Sequence, residues 1–326
     1  MLCILYVNVV GMILGLAGML VERALPKTFP RRWLWCAILV SSIVIPGYYR
    51  FHHTWSVMSA LERHELQPTM RQALATTSFA VFDPAWWART ESYDGLISPL
   101  AITVSLVLLL WGIANWWRMS WLVNRSRVSE SPGVIDGVPV IVTDSIGPAT
   151  VGLWQSLVVV PRWVLSLPNV QRQYVLRHEE EHRRAHDAHV LFATSLPLLL
   201  FPWNLAFWWL LRRLCLAVEK DCDNRVVAAL GDAHGYGELL FKVAQAASHG
   251  PRLQPAFLGG AGTLERRLTE LLGPPRQRAQ RFIAAAAACV LLALALSLPH
   301  PVLWGNHAHV AVTSSANTTS DQHTQP

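Results

Sequence analysis

Charge is scarce in this sequence. Asp, Glu, Lys and Arg make up 15% of its 326 residues, against about 25% in soluble globular domains, and 52% of the chain is hydrophobic with fifteen tryptophans. That balance argues against both a soluble domain and a disordered chain. Paired cysteines are missing too. Cys3, Cys36, Cys215, Cys222 and Cys289 fall mostly in apolar segments without paired spacing, which argues against a disulfide scaffold or a four-cysteine zinc module. No fixed-period repeat and no DNA-binding motif is present, so the net charge of +6 suits phospholipid headgroups, and no direct nucleic-acid binding is expected.

What the chain does have is long apolar runs. Residues 3–21, 33–49, 97–117, 190–211 and 282–299 each come close to the ~20 residues needed to cross a hydrocarbon core. The first lacks a basic leading region and is followed closely by the second, which reads as a retained anchor instead of a signal peptide. The link 22–32 carries Arg23, Lys27, Arg31 and Arg32 against Glu22, whereas residues 50–96 carry four arginines against five acids. An excess of bases marks the cytoplasmic side, so the link is expected inside and the 50–96 loop outside.

Residues 118–188 and 212–281 are both base-rich and both want the cytoplasm, yet 190–211 lies between them. That segment is expected to dip into the membrane and return, interrupted at Pro197 and Pro202 with Asn204 as a polar group; irregular backbone is tolerated at that depth only under cover of protein or water. A plain span is the alternative. The expected architecture is a mainly α membrane protein, with about four transmembrane helices plus the immersed segment and both termini outside. Its parts are an N-terminal membrane region (1–117), a cytoplasm-facing α+β domain (118–281), a last span (282–299) and a disordered outer tail (300–326). Within loop 50–96, FHHTW and FDPAWW read as amphipathic helices on the outer leaflet or as a ligand-sensing surface. Trp33, Trp35, Trp116, Trp117, Trp208 and Trp209 read as interfacial belt residues.

Residues 132–161 hold β-branched runs broken at Asp136-Gly137 and Gly147-Pro148, which predicts a small sheet. From Ser166 the pattern is helical and continues unbroken through RHEEEHRRAHDAH (177–189). His178 and His182 are four apart, so they project from one helix face and can grip one ion, while Glu179 can reach a water on that ion. In this HExxH arrangement two neutral imidazoles hold zinc and the glutamate is the general base. A peptidase site needs a third protein ligand. AVEKDCDNRVV offers Glu219 for that role, and Asp223, one turn on, could accept a hydrogen bond from the second nitrogen of a ligand imidazole. Further helices are expected from Phe207 to Leu230, closed by Gly231, and over TLERRLTELLG.

The order of these elements resembles the antibiotic-sensor signal transducers of the BlaR/MecR type: a strand region ending at Pro161, HEEEH, Asp187, a proline- and tryptophan-containing apolar segment, EKDCD, and LERRLTELL. The likeness covers roughly residues 95–300. It implies an integral membrane zinc peptidase of the gluzincin class with one zinc per chain, bound by His178, His182 and Glu219, with Glu179 as base and Asp223 behind the ligands. It also implies a protein substrate, such as a winged-helix repressor or the chain itself. Gluzincins bind substrate along an exposed sheet edge, for which Leu157, Val158, Val159 and Val160 are the candidates. The large penicillin-binding sensor that usually follows the last span has no counterpart in the polar residues 300–326, which puts direct β-lactam acylation in doubt.

Other readings stay open. His182 with His186 would also be four apart, although Arg183 cannot act as the base between them. Glu180, Glu181, Arg183 and Arg184 read as surface charges of the helix, with Asp187 paired to one of those arginines. Glu219 and Asp223 would also suit a solvated helix face. At the level of function, a non-proteolytic sensor that keeps the metal fold and a housekeeping membrane protease of broad specificity are the alternatives.

Overall fold

Apolar residues with three glycines among them build the first element, and its last turn holds the first buried charge, Glu22. The computed structural model describes residues 2–62, 94–129, 133–143, 147–153, 156–247, 261–274 and 277–298. It is mostly helical with one small mixed sheet. Helix α1 is Leu2–Ala24, α2 Arg31–Glu62 and α3 Asp94–Ser129. The sheet follows, then α4 (Arg162–Leu165), α5 (Asn169–Arg184), α6 (Asp187–Leu200), α7 (Leu205–Leu230), α8 (Ala233–Ala247), α9 (Ala261–Leu272) and α10 (Arg278–Ser297). Helix α2 continues past the expected end at residue 49 to Glu62 and α3 begins within the expected outer loop at Asp94, while residues 63–93 of that loop, including FDPAWW, and the tail 300–326 lie outside the described residues.

Among the described residues, two helices are long and apolar enough to cross a membrane: α1 over Leu5–Ala24, and α10. They pack on each other, yet α10 leaves Phe282 75% and Ile283 70% exposed, a surface that suits lipid far better than water. Helix α3 likewise exposes Leu100, Ile102, Leu106, Leu110 and Ile113. Glycines set how closely α1 meets α7. A Cβ at Gly15 would run into the Trp209 ring and Leu210, and one at Gly11 would come within 2.8 Å of Ala206 Cβ. Trp208 and Trp209 therefore pack against the interior, and Trp35 is fully buried, donating to Glu22 at 3.2 Å. These three are not belt residues; Trp33 and Trp117 are exposed.

The strands are β1 (Gly133–Ile135), β2 (Val138–Thr143), β3 (Ala149–Val151) and β4 (Leu157–Pro161), in the order β1-β2-β4-β3. Asp136 and Gly137 both have positive φ, 50° and 80°, the geometry that closes a two-residue hairpin. The order corrects the expected substrate edge. Leu157 to Val160 form an inner strand, parallel to β2 on one side and antiparallel to β3 on the other. The physical reason is burial: Val158, Val159 and Val160 are the most apolar stretch of the sheet and are fully buried, which a strand in its middle allows. Among the described residues the edges are β1 and β3.

Val140, Val158 and Val160 pack with Tyr174 and Leu176 of α5, Cys222 and Val226 of α7, and Tyr236 and Leu239 of α8. Leu264, Leu268 and Leu271, the apolar face of α9, close over this core. Residues 190–211 do not run as one helix. Phe201 to Trp203 turn the chain, Asn204 caps α7 by accepting from Phe207 N at 3.1 Å, and Leu191 and Leu198 of α6 pack with Phe207, Leu210 and Leu214 of α7. At its far end α7 stops at Gly231, φ 83°.

Candidate metal centre

His178 and His182 lie one turn apart on α5, and their Nε2 atoms are 3.2 Å apart. Across from them on α7, Glu219 brings Oε2 to 3.6 Å from His178 Nε2 and Oε1 to 3.8 Å from His182 Nε2. Donors about 2.0–2.1 Å from a tetrahedral ion stand about 3.3 Å from one another, so a small cation fits among these three with slight closure. Cys222, three residues on, is a second possible third donor. Its sulfur forms, with the two imidazoles, a group whose ligand atoms lie within 4.8 Å of one another. Its position differs from that of Glu219, because Sγ is 3.3 Å from His178 Nδ1, the rear nitrogen of the ring, and donates to His178 O at 3.3 Å.

Both rear nitrogens have partners. His182 Nδ1 meets Asp187 Oδ2 at 2.7 Å. The Tyr236 hydroxyl lies 2.8 Å from His178 Nδ1 and donates to Asp223 Oδ1 at 2.7 Å. Asp223 thus reaches the imidazole through Tyr236 and not directly, its own distance to His178 Nδ1 being 3.7 Å. Arg267 of α9 holds Asp223 with two bonds of 2.7 and 2.8 Å and meets Glu219 Oε2 at 2.9 Å. Such partners fix the tautomer and orientation of ligand imidazoles.

The charges reinforce one another. Burial opposes protonation of His178, but the Cys222 sulfur and Glu219 outweigh it and push the imidazole up to about 10. Burial likewise opposes ionisation of Glu219, and Arg267 and the two histidines overcome it, holding the carboxyl well below the usual range. For Cys222 burial raises the thiol and the two imidazoles more than offset it, lowering it from its ordinary value. A pocket that draws protons onto its histidines in this way also draws a cation.

Glu179 turns toward the sheet. Thr150, in edge strand β3, donates to Glu179 O at 2.7 Å and stands 3.2 Å from Oε2. The expected continuous helix breaks at His186, which adopts a left-handed conformation (φ 55°, ψ 35°) between α5 and α6. The break swings Asp187 back onto His182, with Arg32 on its other oxygen at 2.6 Å. Arg183 and Arg184 go to Glu180 instead, and Glu181 pairs with Arg177 and Arg225, so these two acids are buried and not surface groups. The break also separates His186 from His182: its ring is exposed and neighbours His189.

The family model described as BlaR1 peptidase M56 matches residues 2–271. The chain belongs to this family. Among curated proteins nothing matches it. Membership in the M56 family implies a membrane-associated metallopeptidase with a metal cofactor and a protein substrate. In this M56 member the sequence brings out His178, Glu179, His182, Glu219 and Asp223; the structure brings His178, His182, Glu219 and Asp223 together, while the Glu179 side chain lies against Thr150 of β3. Tyr236, Arg267, Thr150 and Arg32 were not legible as site residues. Arg267 lies within the LERRLTELL motif but reads there as one charge on an amphipathic helix, and the other three carry no motif at all.

Proposed function

We propose that this M56 peptidase is an integral membrane zinc metalloendopeptidase, with one zinc per chain held by His178, His182 and Glu219 and with Glu179 as general base. The observation that carries the reading is the convergence of two Nε2 atoms and one carboxylate at 3.2 to 3.8 Å, each imidazole being backed by its own acceptor. Glu219 is preferred over Cys222 because it faces the Nε2 side of His178 whereas the sulfur faces Nδ1. Zinc bound there would supply Lewis acidity toward a scissile carbonyl and lower the pKa of a water.

The rest of the work falls to side chains. Glu179 takes the proton of the attacking water and hands it to the departing amine. The Thr150 hydroxyl, which donates to Glu179 O at 2.7 Å, lies beside that carboxylate at 3.2 Å. Edge strand β3, which has no strand on its other side among the described residues, is the part of the sheet nearest Glu179 and offers a substrate its free backbone groups. Asp223 keeps its role behind the ligands, exercised through Tyr236.

The enzyme is read as a signal-transducing protease of a bacterial inner membrane, with its site on the cytoplasmic face. It cleaves a regulatory protein such as a winged-helix repressor, or itself, in an antibiotic response. Residues 33–49 of α2 and 97–117 of α3 complete four spans with α1 and α10, and the α6/α7 hairpin is immersed without crossing. Membranes carrying Glu179→Gln should lose proteolysis while the purified protein keeps about one zinc per chain, and His178→Ala and Glu219→Ala should each lose the metal. Zinc retained in Glu219→Ala and lost in Cys222→Ser would make the sulfur the third ligand, and an unchanged cleavage pattern in Glu179→Gln would remove catalysis.

A further inference from the structure

The first turn of α2 is bound to the metal centre more closely than a link between membrane helices requires. Asp221, between Glu219 and Asp223 on α7, accepts from the backbone N–H groups of Arg31 at 3.0 Å and Arg32 at 2.9 Å. A carboxylate there satisfies two N–H groups that a helix start leaves without partners. Arg31 reaches across to Glu270 of α9 at 2.6 Å. Arg32 extends the other way and grips the break between α5 and α6, donating to Ala185 O at 3.3 Å and to Asp187 Oδ1 at 2.6 Å. The second oxygen of the same carboxylate is the one on His182 Nδ1.

We infer that Arg32 is a positioning residue for the metal centre, which ties the start of α2 to the His182 imidazole through Asp187. The inference rests on the reading of His182 as a metal ligand. An aspartate side chain can rotate, and a single bond to an imidazole does not fix it; a charged bond on its other oxygen does. Arg225 is the only other arginine near Asp187 among the described residues, and it stands 3.5 Å away with its Nε committed to Glu181. Arg32 is therefore the group that sets the plane of the Asp187 carboxylate, and through it the direction of the His182 Nε2 lone pair. Because the backbone of Arg32 is pinned to the helix of Glu219 while its side chain holds the partner of His182, a displacement of α2 disturbs two donors at once.

The test uses the full chain in detergent micelles loaded with Co(II), whose visible absorption bands report the geometry of the donor set. Affinity is read by competition with a chromophoric chelator, and His182→Ala must first lose the cobalt; if it does not, the metal reading and this inference fall together. Asp187→Asn should weaken Co(II) binding about 10–100-fold. Arg32→Gln should weaken it about 10-fold and shift the bands, Arg32→Lys should recover part of the loss, and the Arg32→Gln/Asp187→Asn double variant should be no weaker than Asp187→Asn alone. Bands and affinity unchanged in Arg32→Gln, or losses that simply add in the double variant, would overturn the inference while leaving the zinc site standing. If Arg32→Gln does not fold, Arg32→Lys carries the decision: wild-type bands and affinity in that variant would also overturn it.

Discussion

Tyr236 joins His178 to Asp223 through one hydroxyl. Its proton goes to Asp223 Oδ1 at 2.7 Å, so toward His178 Nδ1, 2.8 Å away, the oxygen is left as an acceptor. That makes Nδ1 the nitrogen that keeps its proton in the neutral ring, so that a metal competes with a proton for the Nε2 lone pair, aimed at the point where His182 Nε2 also converges. Burial, followed by the charge of Asp223, holds the Tyr236 phenol well above its ordinary value, so the hydroxyl keeps the proton this arrangement needs.

Removing that hydroxyl with Tyr236→Phe leaves His178 Nδ1 only the weaker contact to the Cys222 sulfur at 3.3 Å, while Asp223 keeps both bonds to Arg267. Zinc affinity is expected to fall about 10–100-fold with the helical content unchanged. Chelator competition beside circular dichroism checks this, and an affinity equal to wild type would mean that the orientation of Nδ1 does not matter.

Arg267 neutralises two carboxylates at once. Arg267→Met leaves Glu219 and the buried Asp223 without their cation, and loss of one partner from a buried ion pair costs about 3–5 kcal/mol. Thermal unfolding in detergent should move to a distinctly lower midpoint, partly restored by excess zinc because a ligand that binds only the folded state stabilises it.

The close approach of α1 to α7 predicts a steric effect. Gly15→Leu drives a side chain into Trp209 and Leu210, and overpacking of this kind costs about 1–3 kcal/mol. Gly112→Leu, where nothing lies within 4 Å, is the control and should leave the unfolding midpoint unmoved.

Proton competition gives a pH signature. With His178 pushed up to about 10, metal must displace a proton from the imidazole throughout the neutral range, so apparent affinity rises as pH rises. Without metal the sign is the reverse: the raised imidazole stabilises the fold fully at pH values below its unfolded value of about 6.5, and that stabilisation is lost as pH climbs through 10. Chelator titrations from about pH 6 to 9 should show the affinity still climbing where an ordinary imidazole has levelled off. A plateau by about pH 7.5 would contradict the charge balance described for the site.

The candidate ligands were legible because local spacing alone brings them out. HEEEH on a helix must place two histidines on one face, and Glu219 with Asp223 repeats that relation two helices later, whatever the rest of the chain does. The hairpin of 190–211 was foreshadowed by Pro197, Pro202 and Asn204, and Gly231 marked the end of α7 because a left-handed residue is needed there. His186 gave no such warning. Histidine is found at positive φ more often than most side chains but is usually helical or extended, so the sequence does not mark φ 55° here; the break persists because Arg32, 154 positions back along the chain, and His182 both bind the Asp187 it delivers.

The sequence by itself determined the membrane character, the small sheet, the helix that carries His178, Glu179 and His182, and the residue types able to hold a metal. These follow from composition, periodicity and spacing within a few turns. Only the tertiary structure decided that β4 lies inside the sheet, that Tyr236 stands between Asp223 and the imidazole, and that Thr150, Arg267 and Arg32 surround the centre. Each of these is a pairing between segments far apart in the chain, set by which buried polar groups find partners once the helices pack, and no local pattern records that outcome.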